Sequence, residues 1–143
     1  MPYKYLEDVS IADVAFIAEG ATLNEMFESA GLATTNVMVK DIKTVRKSVT
    51  KIIEIKSDSL EKLLFDFLQE FVYWKDKDLL IFSDISAAIS EKNGTYILKA
   101  ALSGEKINSR RHEMLVDVKA VTWHLFTLEK KGKKWKCQVI LDI

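Results

Sequence analysis

Two histidines, one cysteine and one proline are all that the 143 residues contain of those types, and the two signs of charge cancel at 21 each. Each scarcity excludes something. A lone Cys137 can form neither an internal disulfide nor a cysteine metal cluster; on an alternating strand it reads as a small buried apolar group. So few histidines and cysteines leave a nucleophilic triad or a transition-metal catalytic centre without its parts. Glycine-rich phosphate loops, a nucleophile elbow and zinc-ligand spacing are likewise missing. Balanced charge supplies no overall field toward a polyanion or an acidic membrane, so direct nucleic-acid binding is not expected. No apolar run approaches ~18 residues. The opening Met1-Pro2-Tyr3-Lys4-Tyr5-Leu6-Glu7-Asp8 has no signal-peptide core, so the chain reads as cytoplasmic, with no membrane association. The one proline lies at position 2 and no linker or repeat divides the sequence, which makes residues 1–143 a single domain.

What is present is an ordinary foldable composition, 48% hydrophobic and 29% charged, enough to build a core at this length. An apolar run over Asp13-Val14-Ala15-Phe16-Ile17-Ala18 predicts an early strand closed by Gly20. Thr22 and Glu25 make a capping box, and Leu23, Met26, Phe27, Ala30, Thr34, Val37 and Met38 follow at helical spacing with Gly31 among them. Period-two patterning over 45–55 puts Val45, Val49, Ile53 and Ile55 on one face. A second helix is expected from Asp58, with Glu61 three residues on. Its stripe of Leu60, Leu63, Leu64, Phe67, Leu68 and Phe71, widened by Phe65 and Val72, predicts cover on more than one side. Strands follow Trp74: a short one over 79–82, an alternating one through Ile85, Ala87 and Ile89, an Asn93-Gly94 hairpin turn, and a return through Tyr96, Leu98, Ala100 and Leu102. A polar loop is expected from Glu105 to Glu113. A strand beginning at Asp117 runs to Leu128, the lysine-rich 130–134 stretch turns, and 135–143 pairs back. Two helices and about seven strands in hairpins predict an α+β fold, a mostly antiparallel sheet with two amphipathic helices packed on it.

The candidate chemistry is concentrated in two places. Asp117-Val118-Lys119-Ala120-Val121-Thr122-Trp123-His124 reads as a strand that carries an acid, a lysine and a histidine. In a regular strand Lys119 and His124 point to opposite faces, so they form no acid–base pair unless a bulge intervenes. The simpler readings are a half-buried, locally bonded His124 and a solvated edge-strand Lys119. His112, after Arg110-Arg111, reads as part of a surface loop, and the Lys130–Lys134 cluster as a solvated hairpin tip without aromatics for base stacking. The second place is the final Leu141-Asp142-Ile143, where an acid adjoins the terminal carboxylate. Asp13 is the other acid in an apolar strand, a residue type disfavoured there. Were Asp13, Asp142 and the Ile143 carboxylate to meet, they would be hard oxygen ligands suited to calcium or magnesium rather than zinc.

Taken together, these residues resemble the archease family along essentially the whole chain. The resemblance is carried by Ala12-Asp13-Val14, Gly20 with Thr22-Leu23, the leucine-rich second helix, Gly104-Glu105, His112, the 118–124 stretch and the terminal Leu141-Asp142-Ile143. It implies a small cytoplasmic α+β protein that assists the RtcB-type tRNA-splicing RNA ligase, promoting its guanylylation and multiple turnover and broadening its nucleotide use, without being a catalyst itself. By position it implies a divalent metal (calcium, magnesium or manganese) on Asp13, Asp142 and Ile143, with Lys119 and His124 concerned in ligase activation. Many members of the family have a histidine where this chain has Ser10. The resemblance also allows a chaperone-like modulator of RNA- or DNA-processing enzymes such as a tRNA methyltransferase. A third reading, an independent metal-dependent phosphoryl-transfer enzyme, rests on the acids alone and lacks a phosphate loop.

Overall fold

The computed structural model describes residues 3–7 and 11–143; Ser10 lies outside them. In chain order the elements are β1 (Tyr3–Leu6), β2 (Asp13–Gly20), α1 (Leu23–Met38), a short 3₁₀ turn (Ile42–Thr44), β3 (Val49–Ser57), α2 (Leu60–Asp78), β4 (Leu80–Lys92), β5 (Thr95–Lys106), β6 (Ala120–Lys131) and β7 (Lys134–Asp142). They form two antiparallel sheets, one ordered β1-β2-β7-β6 and the other β3-β5-β4. The α+β fold expected from the patterning is the one found. Strand β1 was not anticipated; its Tyr3 and Tyr5 hydroxyls donate to Asn36 Oδ1 at 3.0 Å and to the Ala33 carbonyl at 2.7 Å.

Helix α1 starts as its sequence predicts, with Thr22 Oγ1 accepting the Glu25 N–H at 3.1 Å, while the Glu25 carboxylate takes the Ala21 N–H at 3.0 Å rather than that of the cap residue. Gly31 sits mid-helix because Phe71 and Ile85 fill the space a side chain would need. Helix α2 is capped one residue later than expected, by Ser59, whose hydroxyl accepts the Lys62 N–H at 3.0 Å. Leu63, Leu64, Phe67, Leu68 and Phe71 are all buried. At ~2 kcal/mol for each large apolar side chain removed from water, packing rather than helix propensity stabilises this element. Both helices touch both sheets, which is why the α2 stripe is so broad.

The helices also close the sheet edges. Glu28 and Asn24 of α1 accept the Ala87 and Ile89 N–H groups of β4, each at 2.9 Å, and Gln69 of α2 accepts the Val121 N–H of β6 at 2.9 Å. Edge donors that would otherwise invite another strand are satisfied internally.

Three expectations are corrected. Residues 45–48 belong to the connection after the 3₁₀ turn, not to β3. The two short strands expected over 79–82 and 85–89 are one strand, β4, whose register shifts between Phe82 and Asp84; alternation is broken in sequence by the bulge, not by an ending. At that bulge Gly104 is required, since an added Cβ would lie 1.8 Å from the Ile81 carbonyl oxygen. The Asn93-Gly94 turn is as predicted, with φ of 52° and 80°.

The third correction concerns 105–113, expected as a solvated loop. Strand β5 continues through Lys106, and Glu105 and His112 are buried. The Glu105 carboxylate accepts the Arg46 N–H at 2.7 Å and the His112 Nε2–H at 2.9 Å and pairs with Arg111. His112 Nδ1 accepts the Asn108 N–H at 2.9 Å, which fixes the neutral Nε2–H tautomer. Burial alone would raise the pKa of Glu105, but the Arg46 N–H, His112 and Arg111 hold it below the ordinary carboxylate value. A carboxylate with a lowered folded pKa stabilises the protein above its unfolded value, about 4.3, and loses that contribution as pH falls through the folded one. Replacing Glu105 by Gln is therefore expected to cost about 3 kcal/mol in urea denaturation at pH 7, with the gap to the parent protein narrowing below about pH 4. A gap unchanged between those pH values would contradict the assignment.

Candidate metal-binding tip

The two ladders of β7 decide what meets at one end of the four-stranded sheet. Asp13 of β2 pairs with Asp142 of β7, and Asp142 pairs in turn with Ala120 of β6. Residues in register on neighbouring strands point to the same face, with Cβ atoms about 4.5–5.5 Å apart. The structure thus sets the two aspartates side by side, a meeting that their sequence separation does not disclose. Both are partly exposed, as is Ile143. Ile143 N–H donates to the Ala12 carbonyl at 2.9 Å, which ties the residue after Asp142 to the residue before Asp13.

The strand expected from Asp117 begins only at Ala120, because the segment before it is tied to Lys75 of α2 instead of extending the ladder, so Lys119 lies just before β6. Its N–H donates to the Asp142 carbonyl at 2.8 Å, and its side chain is exposed, with no hydrogen bond or ion pair among the described residues. His124 is elsewhere. The β6–β7 register passes from Thr122↔Ile140 directly to Thr127↔Gln138, so four residues of β6 oppose one of β7. A bulge does intervene, and regular alternation gives no information about the relative directions of Lys119 and His124. The structure leaves His124 apart from the carboxylates and exposed, not half-buried as expected, because the bulge turns this segment, with Trp123 and Leu125, toward solvent. Leu125 has φ of 52°, a left-handed conformation that costs a leucine on the order of 1 kcal/mol. Gln138 Nε2 secures it by donating to the Leu125 carbonyl at 3.0 Å. Trp123 is held flat on Phe65, ring centres 4.1 Å apart and planes 3° apart.

Sequence reasoning missed Lys75. It falls four residues after Phe71, on the apolar stripe of α2, and that placement was the available signal. Its side chain is 7% exposed. The ammonium pairs with Asp76 and with Asp117, the latter at 2.5 Å, and donates to the Val118 carbonyl at 2.9 Å. Burial would lower the pKa of this lysine, but the hydrogen bonds and charges of Asp117 and Asp76 outweigh it and hold the pKa above the usual value.

The donor set at the tip is of the right kind for a hard divalent cation, since carboxylate oxygens are what calcium and magnesium prefer. Among the described residues no group of three or more His, Cys, Asp or Glu side chains is gathered as a metal site; the described acids of this pair supply two carboxylates. No helix among the described residues is long and apolar enough to cross a membrane.

The family model for the archease protein family (MTH1598/TM1083) matches residues 3–143. The protein archease of Pyrococcus furiosus is 37% identical over 133 residues, covering 92% of this chain and 93% of that one. The protein archease of Methanosarcina mazei is 39% identical over 142 residues, covering 99% and 95%. The solution structure of Methanobacterium thermoautotrophicum protein 1598 superposes with a TM-score of 0.86 at 34% identity, over 99% of each chain. A crystal structure described as an archease, possible chaperone, from Thermotoga maritima shares the fold, with a TM-score of 0.61 at 17% identity over 94% and 93%.

Like charges directly opposite on neighbouring strands destabilise a sheet, by up to about 1 kcal/mol. In calcium-free buffer containing a chelator, Asp142→Asn is accordingly expected to raise the urea midpoint by an amount within that range. An unchanged or lowered midpoint would show that Asp13 and Asp142 do not repel each other.

Proposed function

This chain belongs to the archease family, and from that premise and the tip geometry we propose that it is an accessory activator of the RtcB-type tRNA-splicing RNA ligase. In this reading it is a protein factor, not a catalyst, that promotes guanylylation and multiple turnover of the ligase and broadens its nucleotide use. The observation that carries the reading is the Asp13–Asp142 pairing in adjacent strands, with Lys119 bonded to Asp142 through its backbone. Asp13, Asp142 and the terminal carboxylate of Ile143 are the residues that would hold a hard divalent cation, calcium, magnesium or manganese. A cation so held supplies positive charge to phosphate oxygens during nucleotidyl transfer. The chain's own contribution is placement. The sheet end keeps the acids together, and Lys119 presents a flexible ammonium, a point charge suited to phosphate, beside them. The rigid aromatic segment with Trp123 and His124 is the part of the same edge strand suited to contact the ligase, because a pre-ordered, exposed tryptophan binds with little loss of side-chain freedom.

A second reading has its own support. Met114, Leu115 and Val116 are exposed, and with Met38 and Ile107 they line a hollow of about 160 Å³ that the Lys75–Asp117 ion pair also borders. Exposed apolar surface suits a chaperone-like modulator of an RNA- or DNA-processing enzyme such as a tRNA methyltransferase. That role predicts a changed partner mass in light scattering, without dependence on metal.

Single-turnover guanylylation of a purified RtcB-type ligase separates the two. Addition of this chain is expected to accelerate nucleotidyl transfer. Losing a mere supporting partner of a metal site typically costs roughly 10–100-fold, so Asp13→Ala, Asp142→Ala and a one-residue extension after Ile143 should each remove at least about tenfold of the stimulation. Stimulation that survives all three changes would rule out the metal-bearing tip, and absence of stimulation at any ratio would rule out the activator role.

A further inference from the structure

Val118 C=O and Lys119 N–H belong to one peptide group; Asp142 C=O and Ile143 N–H belong to another; Ala12 C=O belongs to the group that leads into Asp13. These groups are hydrogen-bonded in series. The Lys75 ammonium donates to Val118 O at 2.9 Å, Lys119 N–H to Asp142 O at 2.8 Å, and Ile143 N–H to Ala12 O at 2.9 Å. Each peptide is planar and stiff, so fixing one end of such a row constrains the next. Dipoles aligned in one direction also polarise one another, and the row begins at a full positive charge in a nearly buried position.

We infer that Lys75 is the positioning residue of the tip: it anchors this three-peptide row and thereby sets Lys119, Asp142 and Asp13 relative to one another. The role rests on the reading of those residues as the working end of the protein. A buried lysine is costly unless its charge and its three protons are all accommodated. Here Asp76, Asp117 and Val118 O accommodate all three. Two of those partners lie in the segment that enters β6, one residue and two residues before Lys119. An apolar residue would fill this place on the helix stripe at no desolvation cost, so simple core packing gives no reason for an ammonium here. Gln69 adds a second tie from the same helix, at Val121 N–H, and keeps the segment against α2 on the far side of Lys119.

Hydrogen exchange of individual amides reads the row directly. In Lys75→Met the amides of Lys119 and Ile143 should exchange roughly tenfold faster or more, as expected for loss of a charge-assisted bond, while the amide of Val139, mid-strand in β7, keeps its rate. Asp117→Asn, which removes one exposed partner and leaves the helix stripe intact, should shift the same two amides in the same direction by a smaller factor. Uniform acceleration of all three amides, or no change at Lys119 and Ile143 in either variant, would overturn the inference. Should Lys75→Met fail to fold, the Asp117→Asn comparison decides alone. Calcium titration by calorimetry runs beside it: the row predicts weaker calcium uptake in Lys75→Met. If the parent protein takes up no calcium and Asp142→Asn changes nothing, the cation reading fails, and the exchange rates still decide the row.

Discussion

Strand β7 is hydrogen-bonded on both edges, to β2 along one and to β6 along the other, and the register of those two ladders determines which residues meet at the end that carries Asp13 and Asp142. A slip of one residue in the β2–β7 ladder would turn the side chains of one strand to the opposite face and separate Asp13 from Asp142, while a slip in the β6–β7 ladder would break the pairing of Ala120 with Asp142. The register is strongly held because the same strand buries Cys137, Val139 and Leu141 in the core and pairs across to buried Phe16 and Ala18. Hydrophobic alternation in the middle of β7 thus sets the position of charged groups at its end.

The tip breaks local rules that the rest of the fold obeys. Two carboxylates face each other across strands, a lysine occupies a helix position meant for an apolar side chain, and a leucine in the neighbouring bulge adopts a left-handed backbone. Natural proteins concentrate such departures at functional sites, where the surrounding structure holds them in place. The contrast with Glu105 is instructive. That carboxylate, unlike the partly exposed pair at the tip, is buried, and it is enclosed by Arg46 N–H, Arg111 and His112. It welds β5 to the following connection and leaves no group directed outward, so its chemistry is structural.

Much of this was legible in the sequence, and the reasons for what was not are physical. Helix patterning, the Thr22 cap and the Asn93-Gly94 turn are local, and local signals sufficed for both helices and the β4–β5 hairpin. The bulge at 82–84 was hidden because it breaks alternation in the same way as a strand ending does, and the one at 122–127 because its β-branched and aromatic residues read as one continuous strand. The burial of His112 was hidden because its partner Glu105 satisfies it through the fold, and polar spacing alone reads as a solvated loop. Asp13 and Asp142 stood out as acids in apolar strands, but their pairing depends on sheet order, which 128 intervening residues do not reveal. Lys75 was visible as a lysine out of place on the α2 stripe. Its partners were not, since Asp117 and Val118 reach it only through the tertiary fold.

In the proposed activator, the paired acids at the end of β2 and β7, with the adjoining backbone, form one cation-holding tip. Titration of calcium into isotope-labelled protein, followed by backbone amide chemical shifts, tests it most directly. The account predicts saturable shifts confined to residues 12–13, 119–120 and 142–143, and their disappearance in a protein lacking the Asp142 carboxylate. Shifts centred on other acidic positions, or none at millimolar calcium, would contradict it.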